Sequence, residues 1–200
     1  VPPMAEVPLT LRLPPPGVVR LEVEGAEGPV RAVPLSDLAL AVPPPEAEKL
    51  LGGVAARFGG TRGELKASPG RWWLLCWDEA GNWDVVPVTV RPFEAVKARA
   101  RLCRPRAEVL VRAPGFAEGA TVRAVVKWMG EFALSDVRGR VEGGLVRLTF
   151  ERPGRFEVWL QRGDDWLGPI EFEVRGRHKF RFSPRPLPKG RIAGRVLESV

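Results

Sequence analysis

Two segments of this chain repeat one another. SPGRWWLLCWDEAGNWDVVPVTVR, from Ser68 to Arg91, aligns without a gap to RPGRFEVWLQRGDDWLGPIEFEVR, from Arg152 to Arg175, with Gly154 standing 84 positions after Gly70. Trp72, Leu74 and Cys76 fall on Phe156, Val158 and Leu160, and Val86, Val88 and Val90 fall on Ile170, Phe172 and Val174. Apolar residues at every second position turn one face of a strand toward a core. Each copy therefore reads as a Pro-Gly turn, a strand, a polar turn and a second strand, which is a hairpin. A chain that holds the same hairpin twice is built from two like units.

The period-2 alternation continues outside the repeat. It runs through Val109 and Val111, through Val122, Ala124, Val126 and Trp128, and through Val146, Leu148 and Phe150. The stretches PLTLRL and VVRLEVEG open the first copy in the same way. Short strands at roughly 10-residue spacing, punctuated by Gly and Pro, predict an antiparallel β-sandwich. The expected organisation is one unit over residues 1–97, a second over 98–175, and a basic extended arm over 176–200. The first unit carries an insertion, in which Ala47, Leu50, Leu51, Val54 and Phe58 keep helical spacing behind a proline start. That spacing predicts a helix near 45–58, weakened by Gly52 and Gly53.

The residues Pro69, Gly70, Trp72, Leu74, Cys76, Asp78, Gly81, Asn82 and Val86 to Val90 resemble the last two strands of bacterial immunoglobulin-like domains. The second copy keeps Pro153, Gly154, Phe156, Val158, Leu160 and Ile170 to Val174, but RGDDW replaces the DEAGN turn. The resemblance implies a mainly β fold of two tandem immunoglobulin-like sandwiches. It implies no particular activity, because such sandwiches host many functions.

No catalytic constellation stands out. The single His, His178, has no Ser–Asp or Cys partner near it in sequence. The Gly-rich LGGVAARFGG lacks the Lys-Ser/Thr of a phosphate cradle. Asp78–Glu79 and Asp164–Asp165 fall in hairpin turns, where Asp bonds its own backbone. Asp78 and Asn82 supply too few oxygens for calcium. The expectation is a protein without catalytic residues, metal or cofactor. Cys76 and Cys103, with no CxxC spacing, read as free thiols rather than a disulfide framework. No run of about 18 apolar residues predicts a membrane helix. The net charge of +7 comes mostly from arginine scattered through every segment. One Asn, two Met and 21 Pro fit a thermophile.

Two candidate surfaces follow. Register puts Trp72, Leu74 and Cys76 inside the first sandwich, so Trp73, Leu75 and Trp77 lie on the opposite strand face. Large apolar groups there need a cover: the 45–58 insertion, the other unit, another subunit or a ligand. The second surface is the arm, with Arg177, Lys179, Arg181, Arg185, Lys189, Arg191 and Arg195 interleaved with Phe180 and Phe182. Together these predict a non-enzymatic structural or assembly protein, meeting protein partners or copies of itself. A virion or cell-surface setting is expected over the cytoplasm. Sugar binding on the Trp-bearing face and nucleic-acid binding through the arm are the alternatives.

Overall fold

Alternating burial is the dominant local pattern of the chain, as the strand sequences dictate. The computed structural model describes residues 14–162 and 165–184. Seven strands come first: β1 (Gly17–Glu24), β2 (Val30–Leu35), β3 (Ala56–Phe58), β4 (Arg62–Ala67), β5 (Gly70–Asp78), β6 (Trp83–Val90) and β7 (Ala95–Arg101). Between β2 and β3 lie a 3-10 turn, Leu38–Leu40, and helix α1 (Pro44–Leu51). Seven more strands follow: β8 (Arg106–Arg112), β9 (Thr121–Trp128), β10 (Glu131–Glu142), β11 (Leu145–Phe150), β12 (Gly154–Arg162), β13 (Asp165–Val174) and β14 (Arg177–Phe182). The protein is mainly β, with an immunoglobulin-like sandwich architecture.

The first seven strands form two sheets, ordered β4-β1-β7 and β3-β2-β5-β6. The last seven form one sheet, ordered β13-β12-β9-β10-β11-β8-β14. Shifting each strand number by seven superimposes the two orders, with β10–β11 pairing joining what are separate sheets in the first half. In each half the first strand pairs parallel with the last, β1 with β7 and β8 with β14. The repeated hairpins also share register: Gly70 faces Val90 as Gly154 faces Val174, and Trp72 faces Val88 as Phe156 faces Phe172. The second hairpin then slips by one residue between Val158 and Leu160. Gly70 and Gly154 open their strands at φ of 147° and 106°, a region that suits glycine and explains the repeated Pro-Gly.

Each half has its own interior. In the first, Val19, Leu21, Leu65, Leu74, Cys76 and Val90 pack between the two sheets. In the second, cross-strand partners Phe156 and Phe172 stack at 5.3 Å, and Phe150 meets Phe172 edge-on at 5.0 Å. Phe172 of β13 also meets Phe180 of β14 at 5.3 Å, so the two ends of the seven-stranded sheet curl toward each other.

Three sequence expectations change here. Strand β7 pairs with β1 from Val18 to Glu24 and runs to Arg101, past the boundary expected at 97. The helix ends at Leu51, and Ala56–Phe58 pair with β2 instead of continuing it. Gly52 and Gly53 end the helix, while Phe58 packs into the first interior and Val54 points to solvent. The arm expected from 176 begins as strand β14, because Phe180 and Phe182 complete the aromatic interior. PLTLRL and the arm residues Arg185, Lys189, Arg191 and Arg195 lie outside the described residues.

Candidate functional site

Strand β5 carries the aromatic cluster and distributes it over two faces. Trp72, Leu74 and Cys76 face the first interior. Trp73, Leu75 and Trp77 face the other way, and the chain itself covers them: Leu75 is 0% exposed and Trp77 2% exposed, with Trp73 half-buried. Val33, Leu35 and Val85 share this face with them. Leu38, Ala41 and Ala47 of the insertion close over it, in one buried cluster continuous with the second-half interior.

Polar contacts hold the cover in place. Trp77 Nε1 donates to Glu48 Oε2 of α1 at 3.2 Å. Arg31, the cross-strand neighbour of Trp77, pairs with the same Glu48 oxygen at 3.1 Å and donates to the Gly52 carbonyl at 3.2 Å. Asp37 caps the 3-10 turn by accepting from Ala39 N at 2.8 Å. From the second half, Arg152 donates to the Ala41 carbonyl and lies 4.8 Å over the Trp128 ring. The face expected to bind a sugar or a partner protein is therefore occupied from within, and Leu75 and Trp77 reach neither.

Only the Trp73 end of the strand meets solvent. There Trp72, Trp73, Arg71, Pro87, Thr89 and, from the second half, Glu131 line a cleft of about 460 Å³. The insertion also exposes apolar side chains beside Glu46 and Lys49: Leu40, Leu50 and Val54 are 53%, 62% and 74% exposed.

A second contact locks the halves together. The Asp84 carboxylate, 2% exposed, accepts from Val85 N and Arg101 N at 2.9 Å and from Arg175 Nη1 at 3.0 Å. Burial raises its pKa, and those three donors oppose the rise. A bridge between Trp83 and Cys103 closes the same corner. Burial and the nearby Asp84 also raise the pKa of both thiols, which keeps them protonated. The two cysteines are free.

Asp78 and Asn82 form a turn. Asp78 accepts from Glu27 N at 2.8 Å, Asn82 N at 2.9 Å and Asn82 Nδ2 at 2.8 Å, so its lone pairs serve two backbone amides and the Asn82 side chain. In β14, Arg177, Lys179 and Arg181 point outward, whereas Phe180 and Phe182 turn inward and are half-buried. Sequence reasoning missed the Asp84–Arg175 contact, for which the only signal was an apolar strand interrupted by one carboxylate. No helix among the described residues is long and apolar enough to cross a membrane.

The sequence matches no protein-family model and no curated protein. Among solved structures, the Bacillus anthracis TIE protein is similar over 86% of this chain, at 8% identity and a TM-score of 0.34. The chain spans 34% of the length of that protein. GBS52, the minor pilin of Streptococcus agalactiae, is similar over 90% of this chain and 100% of its own, at 10% identity and a TM-score of 0.32. A family 26 carbohydrate-binding module of Eubacterium rectale Amy13K, solved with maltoheptaose, is similar over 84% of this chain and 92% of its own, at 11% identity and a TM-score of 0.29. At such scores these are distant likenesses, and the fold stands on its own strand order.

Proposed function

We propose that this chain is a non-enzymatic structural module that works through protein–protein contact, as a rigid body built from two immunoglobulin-like sandwiches. One observation carries the reading. The insertion uses its inner side, Leu38, Ala41 and Ala47, to weld the halves together, and it leaves Leu40, Leu50 and Val54 exposed on the outside. Exposed apolar side chains gathered on one segment of a firmly held element suit burial against a neighbour. The partner that fits most simply is a second copy of the chain, in an assembly at a cell surface or in a virion.

Sedimentation velocity over a wide concentration range tests this. The intact chain should self-associate, and Leu50→Glu with Val54→Glu should leave it monomeric with unchanged thermal unfolding. A chain that stays monomeric throughout, or a variant that associates equally well, would overturn the reading.

A further inference from the structure

The outer face of the second half is built from five neighbouring strands, β9-β10-β11-β8-β14. Its ladders place cations directly opposite cations three times: Arg123 faces Arg138, Arg140 faces Arg147, and Arg106 faces Arg177. Like charges opposite one another across a ladder destabilise a sheet. One such pair is unremarkable in an arginine-rich chain, but three on a single face are a recurrent cost borne by the fold. The register also lines cations across the strands. Arg140, Arg147 and Arg181 fall in one row, with Leu110 between the last two.

Acidic groups do little to balance this face. Glu108 engages Arg147 at 3.1 Å and Lys179 at 3.4 Å, and Glu142 sits at the far end of β10. Among the described residues, no ion pair reaches Arg106, Arg123, Arg138, Arg140, Arg177 or Arg181. The first half shows the contrast: on its β4-β1-β7 sheet Arg20 pairs with Glu64, and Arg62 and Arg99 with Glu22.

From this pattern we infer that the outer face of β9-β10-β11-β8-β14 binds a linear acidic polysaccharide, whose carboxylates the rows of arginines receive. Guanidinium forks take carboxylates two-pronged and lose less hydration than ammonium groups in doing so. Three features of the face select this partner among polyanions. The sheet curls until Phe172 and Phe180 meet, so its outside is convex, and a flexible chain can follow it across several strands. A stiff duplex, with a persistence length of about 150 bp, would touch such a surface only along a short tangent. The aromatic residues of β14 turn inward, which removes the stacking platform that single-stranded nucleic acid uses. The large apolar residues that are exposed among the described residues, Leu40, Leu50, Val54 and Phe93, all belong to the first half, and the basic face offers a lipid surface only half-buried leucines such as Leu110 and Leu145. The inference is independent of self-association, and a monomeric chain would leave it intact.

The test uses the full chain and immobilised polygalacturonate, with dextran, duplex DNA and anionic phosphatidylserine vesicles as comparators. Binding to polygalacturonate should be saturable at low salt and weaken at least tenfold when salt is raised from about 50 to 200 mM. Arg140→Gln, Arg147→Gln and Arg181→Gln together should weaken it at least tenfold more with little change in unfolding temperature, since relief of the Arg140–Arg147 repulsion offsets loss of the Arg147–Glu108 ion pair. Arg20→Gln, Arg62→Gln and Lys97→Gln together, on the opposite half, should leave it unchanged. The inference is overturned by absence of binding, by equal loss in both triple variants, or by tighter binding to DNA or vesicles than to polygalacturonate.

Discussion

Asp84 and Arg175 lie 91 positions apart in the chain and 3.0 Å apart in space, one at the corner of the first sandwich and the other just after β13. The carboxylate is almost fully buried, whereas the guanidinium keeps about a third of its surface in water, at 35% exposure. Each half thus completes a polar site begun by the other. Together with the apolar cluster that runs across the junction, this contact joins the two halves.

Removing the cation should therefore be costly. Arg175→Ala leaves Asp84 buried with two backbone donors only, and it is predicted to destabilise the protein by about 1–3 kcal/mol in denaturant unfolding. The figure sits below that of a fully buried pair because water reaches Arg175. Arg175→Lys should recover part of the loss.

Acidity should act on the same site with a defined sign. Burial holds the Asp84 pKa above its ordinary value of 3.8. A carboxyl that binds its proton more tightly when folded contributes most when protonated, and that contribution falls as pH rises from the ordinary value through the raised one. Asp84→Asn cannot titrate. The unfolding free energy of the wild type relative to Asp84→Asn is therefore predicted to decline as pH rises above the ordinary carboxylate value. A relative stability that rises over this range would contradict the assignment.

The two sides of the insertion should respond oppositely to truncation. Trp77→Ala empties the space between β5 and α1 and is predicted to cost about 3–5 kcal/mol. Leu50→Ala, on the exposed side, should change stability by no more than about 0.5 kcal/mol. Chemical denaturation of both variants measures the difference.

The repeated Pro-Gly turns offer a comparison within one molecule. Alanine at Gly70 or Gly154 must adopt a positive φ, a strain of about 1–3 kcal/mol. At Gly70 the added carbon would meet only the edge of Trp72, at 3.5 Å, whereas at Gly154 it would run into Met129 Sδ. Gly154→Ala is predicted to destabilise more than Gly70→Ala when their unfolding temperatures are compared.

Much of the fold was legible because strand alternation is local. The 84-residue offset revealed both hairpins, and it placed Trp72 and Trp73 on opposite faces. It also showed that Trp73, Leu75 and Trp77 needed a cover. It could not say which cover, since that depends on how α1 and the second half dock, and docking leaves no periodic trace. Strand β14 was hidden by its own outward residues: Arg177, Lys179 and Arg181 look like a solvated tail unless Phe180 and Phe182 are given an interior to enter. Strands β3 and β4 were obscured by glycines and by a false helical spacing that carried Val54 and Phe58 past the Gly52-Gly53 stop. The basic face was invisible for a further reason: its rows exist only once five strands are placed side by side.

Differential scanning calorimetry of the intact chain tests most directly whether the two halves are one body. A junction sealed by Leu75, Trp77, Val85 and the Asp84–Arg175 contact should make both halves unfold together. The prediction is a single transition whose calorimetric enthalpy equals its van't Hoff enthalpy. Two separable transitions, or a van't Hoff enthalpy near half the calorimetric one, would contradict it.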